Sequence, residues 1–192
     1  MENRVETVIN EIMAELEPFL AADAQAAVAL YQEKEGDLSA EFLRGLADCA
    51  ARAASLREQG LKGETRFLAI SFLHSAFLSG EYLLRLDLFD ERAELDDAES
   101  SFYLSYKWLL PCFEQSAERA NELARERFAP WLNYEMAELR TQWMEAVYSR
   151  LLLTMYYDLV AGTAAEARAI LPSRVTVTFG RYLSGQQPLL EI

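Results

Sequence analysis

The stretch from Trp131 to Val160 constrains the fold most, because its thirty residues include no glycine and no proline. A single helix over this stretch would be about 45 Å long at a rise of about 1.5 Å per residue. Its first half carries an apolar stripe at helical spacing, formed by Leu132, Met136, Leu139 and Trp143. Its second half is apolar around most of its circumference, and such a helix must be covered on several sides. The stretch therefore predicts a helical bundle.

Proline and glycine divide the rest of the chain into further helical segments. We expect a first helix that ends at Pro18 and a second that ends at Gly36. The later predicted helices run from Ser39 to about Gln59, from Glu64 to about Phe89, from about Ala98 to about Phe128 with a kink at Pro111, and from Ala164 to Leu171.

The final twenty residues have a different pattern. Arg174–Phe179 alternates apolar and polar side chains and is rich in β-branched residues, which is typical of a strand. Pro188–Ile192 suits a second short strand. The predicted fold class is therefore an all-α, antiparallel bundle of about five or six helices over residues 1–172. A short β-like extended tail over residues 173–192 belongs to the same domain.

The net charge of the chain limits the classes of partner that it can bind. A formal net charge of −13 repels nucleic-acid phosphates and anionic lipid headgroups, and only three residues are lysine. We therefore expect no nucleic-acid partner and no membrane partner. The N-terminus lacks the apolar core of a secretion signal, and the apolar tract Phe67–Leu78 is shorter than the roughly twenty residues of a membrane span. These features predict a soluble, cytoplasmic protein.

Residues that bind metals or act as nucleophiles are sparse. His74 is the only histidine, and Ser71 stands where a di-iron bundle would carry the glutamate of Glu-x-x-His. Cys49 and Cys112 lie 63 positions apart among apolar neighbours, which indicates structural thiols. The acidic run Asp87–Glu99 lacks the glycine of a calcium-binding EF-hand loop and is expected to be a solvated connection. The sequence assigns no catalytic residue, no metal and no cofactor.

Aromatic side chains form the one candidate binding site. Rings cluster in sequence around Pro111 and recur on the long helix, where they would line an apolar cavity with hydroxyl groups pointing inward. The candidate ligand-binding residues are Tyr103, Tyr106, Trp108, Trp143, Tyr148 and His74. The alternative is that these rings fill the core or a dimer interface.

The predicted function is a non-enzymatic interaction or regulatory role for a homodimer. The dimer is expected from the apolar helix around Leu151–Val160 and from a strand at Arg174–Phe179 that has no obvious partner. This strand either folds back as a hairpin with Leu189–Ile192 or pairs with a second copy across a two-fold axis. One alternative is a protein that binds a small apolar or aromatic ligand. An enzyme of undetermined class is the third possibility.

Overall fold

The chain divides into two compact units. The computed structural model describes residues 2–73, 81–127, 139, 143 and 151–192. Met1–Glu33 and Trp108–Leu152 form the first unit, which we call the helical unit. Lys34–Lys107 and Leu153–Ile192 form the second, which contains the β-strands and which we call the sheet unit.

Helix α1 spans Glu2–Glu58 without interruption, so the boundary between the units falls within it. The predicted ends at Pro18 and Gly36 are therefore wrong. Inside a helix, proline costs about 3 kcal/mol and glycine about 1 kcal/mol relative to alanine. Those local penalties are outweighed because α1 buries one face along most of its length, including Leu16 in the helical unit and Phe42 in the sheet unit.

The sheet unit contains a five-stranded mixed sheet in the order β3-β2-β1-β4-β5. Its strands are β1 Phe67–Phe72, β2 Leu83–Phe89, β3 Ser101–Ser105, β4 Thr176–Arg181 and β5 Ser184–Glu191. The central pair, β1 and β4, is parallel, and the three other pairings are antiparallel. β3 and β5 are therefore the two edges of the sheet.

The two faces of the sheet differ in composition. One face is apolar and buried, and it packs on α1, where the rings of Phe42 and Phe102 lie 6.3 Å apart. This face comprises Leu68, Ile70, Phe72, Leu84, Leu86, Leu88, Phe102, Leu104, Val177 and Phe179. The opposite side, which we call the outer face, carries mixed side chains. These are Phe67, Ala69, Ser71, Arg85, Asp87, Phe89, Ser101, Tyr103, Ser105, Thr176, Thr178 and Gln186.

Short helical elements complete the described chain. Ala93–Leu95 and Lys107–Phe113 are 3-10 helices, and the second of them contains Pro111. α2 is Glu114–Arg127, α3 comprises helical residues 151–162, and α4 is Ala164–Ile170. Within the helical unit, Arg127 on α2 forms ion pairs with Glu11 and Glu15 on α1.

The prediction of an all-α bundle is wrong, because three strands occupy two stretches expected to be helical. Phe67–Phe72 is an almost continuous apolar run, a pattern that a buried strand and a buried helix share. Leu83–Phe89 and Ser101–Ser105 alternate between the two faces, which is the period of a strand. β2 pairs with β1 on one side and with β3 on the other, and β3 pairs with β2 along one side only.

The expected C-terminal tail is part of the sheet. β4 pairs with β5 as an antiparallel hairpin, which is one of the two pairings left open by the sequence, and it also pairs with β1, which was not expected. The short helix predicted at Ala164–Leu171 is present as α4. Of the long helix predicted at Trp131–Val160, only Leu139, Trp143 and residues 151–160 are described, and all of these are helical.

Candidate functional site

An open cavity of about 350 Å³ lies on the outer face of the sheet. Its floor is formed by side chains of β1, β2, β4 and β5, and further lining comes from two connections, residues 92–95 and the β4–β5 turn. Most of the lining is apolar. The lining residues are Phe67, Ala69, Ser71, Phe89, Arg92, Ala93, Glu94, Leu95, Thr178, Leu183 and Gln186.

Small residues on the central strand leave room for this cavity. Ala69 and Ser71 are successive outer-face residues of β1, and both are buried although neither side chain extends far above the sheet. Phe67 and Phe89 stand directly opposite each other on β1 and β2 and supply larger apolar surfaces beside them. The contrast between small and large side chains produces a depression in the face.

Two apolar residues that line the cavity adopt a backbone conformation that is unfavourable for them. Among the described residues, only Tyr82, Ala93 and Leu183 have positive φ without being glycine. Ala93 has φ +53° and Leu183 has φ +54°, a region that costs an ordinary residue about 1–2 kcal/mol. Both line the cavity, from different connections. Such outliers cluster at functional sites.

The apolar lining is also unusually exposed to solvent. Leu95 is 83% exposed and Leu183 is 47% exposed, although both are large apolar side chains. Single exposed apolar residues are common, but two that line one cavity form a patch that a ligand can cover.

A short chain of hydrogen bonds crosses the polar part of the lining. The Gln186 side-chain amide donates to Ser71 Oγ at 3.0 Å and to the backbone carbonyl of Arg181 at 2.9 Å. Thr178 Oγ1 donates to Gln186 Oε1 at 2.9 Å. These bonds connect β1, β4 and β5, and they fix the orientation of the polar groups that face the cavity.

A buried ionic cluster holds the connection that carries Ala93 and Leu95. Lys62 pairs with Asp96, which also accepts a bond from the backbone N–H of Asp90 at 3.0 Å. Arg92 pairs with both Asp90 and Asp96. The expectation that this acidic run is merely a solvated connection is therefore wrong for Asp90 and Asp96, which are buried.

The hydrogen bonds of Asp90 outweigh the cost of its burial. Burial alone would raise the pKa of this carboxyl group. Bonds from the Arg92 side chain and from the backbone N–H groups of Gly63 and Arg92 instead lower the pKa to about 2. Asp90 thus remains ionised at neutral pH and anchors the residues that line the cavity.

A second ion pair lies beside the cavity on the outer face. Arg85 donates to both oxygens of Asp87 at 2.8–3.0 Å, and its guanidinium carbon lies 4.6 Å from the centre of the Tyr182 ring. Burial raises the pKa of Asp87, although Arg85 acts in the opposite direction. Tyr103 packs on the same guanidinium at 5.9 Å.

The residues predicted to bind a ligand are distributed between the units. Tyr103 lies exposed on β3, and Tyr106 is buried with its ring 5.9 Å from that of Tyr82, both in the sheet unit. In the helical unit, Trp108 stacks on Tyr31 at 6.5 Å and Trp143 contacts the edge of Phe113 at 6.3 Å. His74 and Tyr148 lie outside the described residues.

No described member of that predicted set lines the cavity on the outer face. The residues that do line it were missed because they match no recognised motif. Ala69 and Ser71 are small residues within a strand, and Leu183 is a leucine in a two-residue turn. The alternation of Leu83–Phe89 was the available signal, since it identifies a strand with one polar face.

The cysteine thiols are not activated. Burial raises the pKa of both Cys49 and Cys112, which disfavours the thiolate needed for nucleophilic attack. Cys49 Sγ instead lies 3.2 Å from Ser100 Oγ. Within the described ranges, no three His, Cys, Asp or Glu side chains are grouped so as to hold a metal ion.

Among the helices that the structure describes, none combines the length and apolar character required to cross a membrane. Comparison with protein-family models, with curated proteins and with solved structures found no match to this chain.

Proposed function

We propose that this protein is a non-catalytic binding protein that holds a small, mainly apolar ligand in the cavity on the outer face of the sheet. One observation carries the proposal. Two non-glycine residues with positive φ, Ala93 and Leu183, both line one cavity whose apolar side chains are exposed to solvent. Backbone strain of this kind persists only where the surrounding structure enforces it.

The size and the lining of the cavity suit a small molecule. Ligand sites in proteins typically have volumes of about 300–1,000 Å³ and apolar walls with a few fixed polar groups. This cavity has about 350 Å³, and Ser71, Thr178 and Gln186 supply its hydrogen-bonding groups. Of the two binding roles expected from the sequence, the cavity therefore favours the small-ligand role over a protein-interaction role.

The proposal is tested by titration with Nile red, a neutral apolar dye. The double variant Leu95→Ser with Leu183→Ser replaces two exposed apolar lining residues by polar ones. We expect it to weaken dye binding by about tenfold, since loss of two apolar contacts costs at least about 1.4 kcal/mol. Leu95 and Leu183 are exposed, so the circular dichroism spectrum should remain that of the natural chain.

Leu61→Ser is the matched control, because Leu61 is equally apolar and 56% exposed but does not line the cavity. Its dye affinity should equal that of the natural chain. Equal affinities for the natural chain, the double variant and the control would show that the dye does not bind in the cavity and would overturn the proposal.

A further inference from the structure

The two edges of the sheet are protected to different degrees. β5 contains Pro188, and its pairing with β4 has register shifts at two places. Proline and irregular pairing are the usual means by which natural edge strands avoid pairing with another chain. β3 reads Ser-Phe-Tyr-Leu-Ser and has no proline, no charged residue and a regular register with β2. The β3 edge is therefore suited to accept a further strand.

The backbone groups that β3 presents outward can be identified from its pairing with β2. Leu88 N–H donates to Ser100 C=O at 2.9 Å, and Tyr106 N–H donates to Tyr82 C=O at 3.0 Å. In an antiparallel pair every second residue bonds to the neighbouring strand. The even-numbered residues of β3 thus bond to β2, and the N–H and C=O groups of Ser101, Tyr103 and Ser105 point away from it.

Within the described residues, these outward groups are available for pairing. Across the ranges that the structure describes, no backbone hydrogen bond to another segment is made by Ser101, Tyr103 or Ser105 on this side. Tyr103, at the middle of the strand, is 46% exposed. An extended strand placed along this edge would satisfy all of these groups.

We propose that the β3 edges of two copies of this chain pair antiparallel about a two-fold axis at Tyr103. Ser101 then faces the partner's Ser105, and Tyr103 faces the partner's Tyr103. Because the outward residues face one another in this register, each facing pair exchanges two backbone hydrogen bonds. The apolar residue Phe102 lies opposite the partner's Leu104, so the buried face of one sheet continues into that of the other.

The charges that flank β3 favour this self-pairing. Glu99 and Lys107 lie four residues before and four residues after Tyr103, and both side chains are exposed. Glu99 precedes β3 and pairs with Arg85 of its own chain at 3.2 Å, and Lys107 begins the 3-10 helix that follows β3. In the proposed register Glu99 of one copy lies near the partner's Lys107, and the symmetry repeats the pair. β3 itself contains no charge, so no like charges meet. Opposite charges at the two ends of the paired strands favour this association over one that brings like charges together.

This interface does not depend on the cavity, and it replaces the argument for a dimer drawn from the sequence. The dimer expected from the sequence rested on the apolar helix around Leu151–Val160 and on a strand at Arg174–Phe179, and the structure pairs that strand with β1 and β5. The proposed interface lies on β3, a different strand, and on a different part of the surface.

Sedimentation equilibrium at tens of micromolar tests the oligomeric state. The natural chain should sediment at twice its 21.8 kDa mass. Glu99→Lys alone and Lys107→Glu alone each place like charges opposite each other twice, so each variant should dissociate at a concentration at least tenfold higher. An equimolar mixture of the two variants should recover the dimer, because every facing pair then has opposite charges.

A cross-linking experiment tests the register. Cα atoms of a hydrogen-bonded antiparallel pair lie about 5.5 Å apart, within the range that a disulfide bridges. Tyr103→Cys should therefore form a covalent dimer under mild oxidation. Tyr157→Cys is the control, because Tyr157 is similarly exposed but lies on α3, and it should remain unlinked.

Three results would overturn the inference. The first is a monomer of the natural chain at tens of micromolar. The second is a dimer that both charge reversals leave unchanged. The third is a dimer in which Tyr103→Cys does not cross-link more readily than the control. Circular dichroism establishes that each variant is folded before it is counted.

Discussion

Leu183 is a residue that lowers the stability of the fold and contributes apolar surface to the cavity. It occupies the two-residue turn between β4 and β5 with φ +54°, where glycine meets no steric penalty. Its side chain gains little in return from burial, since it is 47% exposed. The residue therefore costs folding free energy and exposes an apolar group beside the cavity, a combination that ligand binding would explain.

The substitution Leu183→Gly should stabilise the fold and weaken dye binding. Relief of the backbone strain is expected to raise the free energy of unfolding by about 1 kcal/mol, which corresponds to about 2–4 °C in melting temperature for a chain of this size. Leu183→Ala is the control, because it removes the same apolar group but keeps the strain. If both variants melt at the same temperature, relief of backbone strain at position 183 does not account for the higher stability of Leu183→Gly.

At the scale of a single element, α1 offers a comparison between two glycines on one helix. A Cβ built on Gly36 meets no atom within 4 Å, whereas a Cβ on Gly45 would overlap the ring of Phe102 on β3. Gly45 therefore permits the close approach of the sheet to the helix, and Gly36 has no such role.

The same substitution at these two positions should have opposite effects. Gly36→Ala should stabilise the protein by about 1 kcal/mol, the difference in helix propensity. Gly45→Ala should destabilise it by about 1–2 kcal/mol, because overpacking outweighs that gain. Urea denaturation measures both. Adding Phe102→Leu should restore part of the loss in Gly45→Ala; a stabilised Gly45→Ala variant would contradict the packing described here.

Some elements were predicted from the period of their side chains, whereas β2 and β3 were missed although Leu83–Phe89 and Ser101–Ser105 alternate as strands do. The amphipathic start of α1, the short helix α4 and the alternation in β4 each appear in the pattern of side chains. β1 was mistaken for helix because Phe67–Phe72 carries almost no polar residue to mark a period. No short stretch of sequence indicated the cavity. It is lined by Ala69 and Leu183, which are far apart in sequence and come together only because β1 pairs with β4.

At the scale of the whole chain, the C-terminal strands hold the sheet together. Deleting residues 173–192 would remove β4 and β5, leave the parallel edge of β1 without a partner, and take away the buried residues Val175, Val177 and Phe179. Exposed apolar edges of this kind aggregate. A detachable tail on an all-α bundle would instead leave the remaining fold intact.

The truncated chain should therefore lose its cooperative melting transition and elute as aggregate in gel filtration. Adding a synthetic peptide of residues 173–192 during refolding should recover soluble protein, since the peptide restores both strands. A truncated chain that melts like the full chain without the peptide would show that the sheet unit does not require β4.

The pairing of β1 with β4 also has a consequence for biosynthesis. Phe67 pairs with Thr176, and 176 minus 67 is 109 positions, so β1 leaves the ribosome long before its central neighbour is translated. At about 5–20 residues per second, that interval lasts several seconds. During this interval the edge of β1 that later pairs with β4 is exposed on the nascent chain. Chaperone binding to the nascent chain should be strongest in this interval and should end once β4 has emerged.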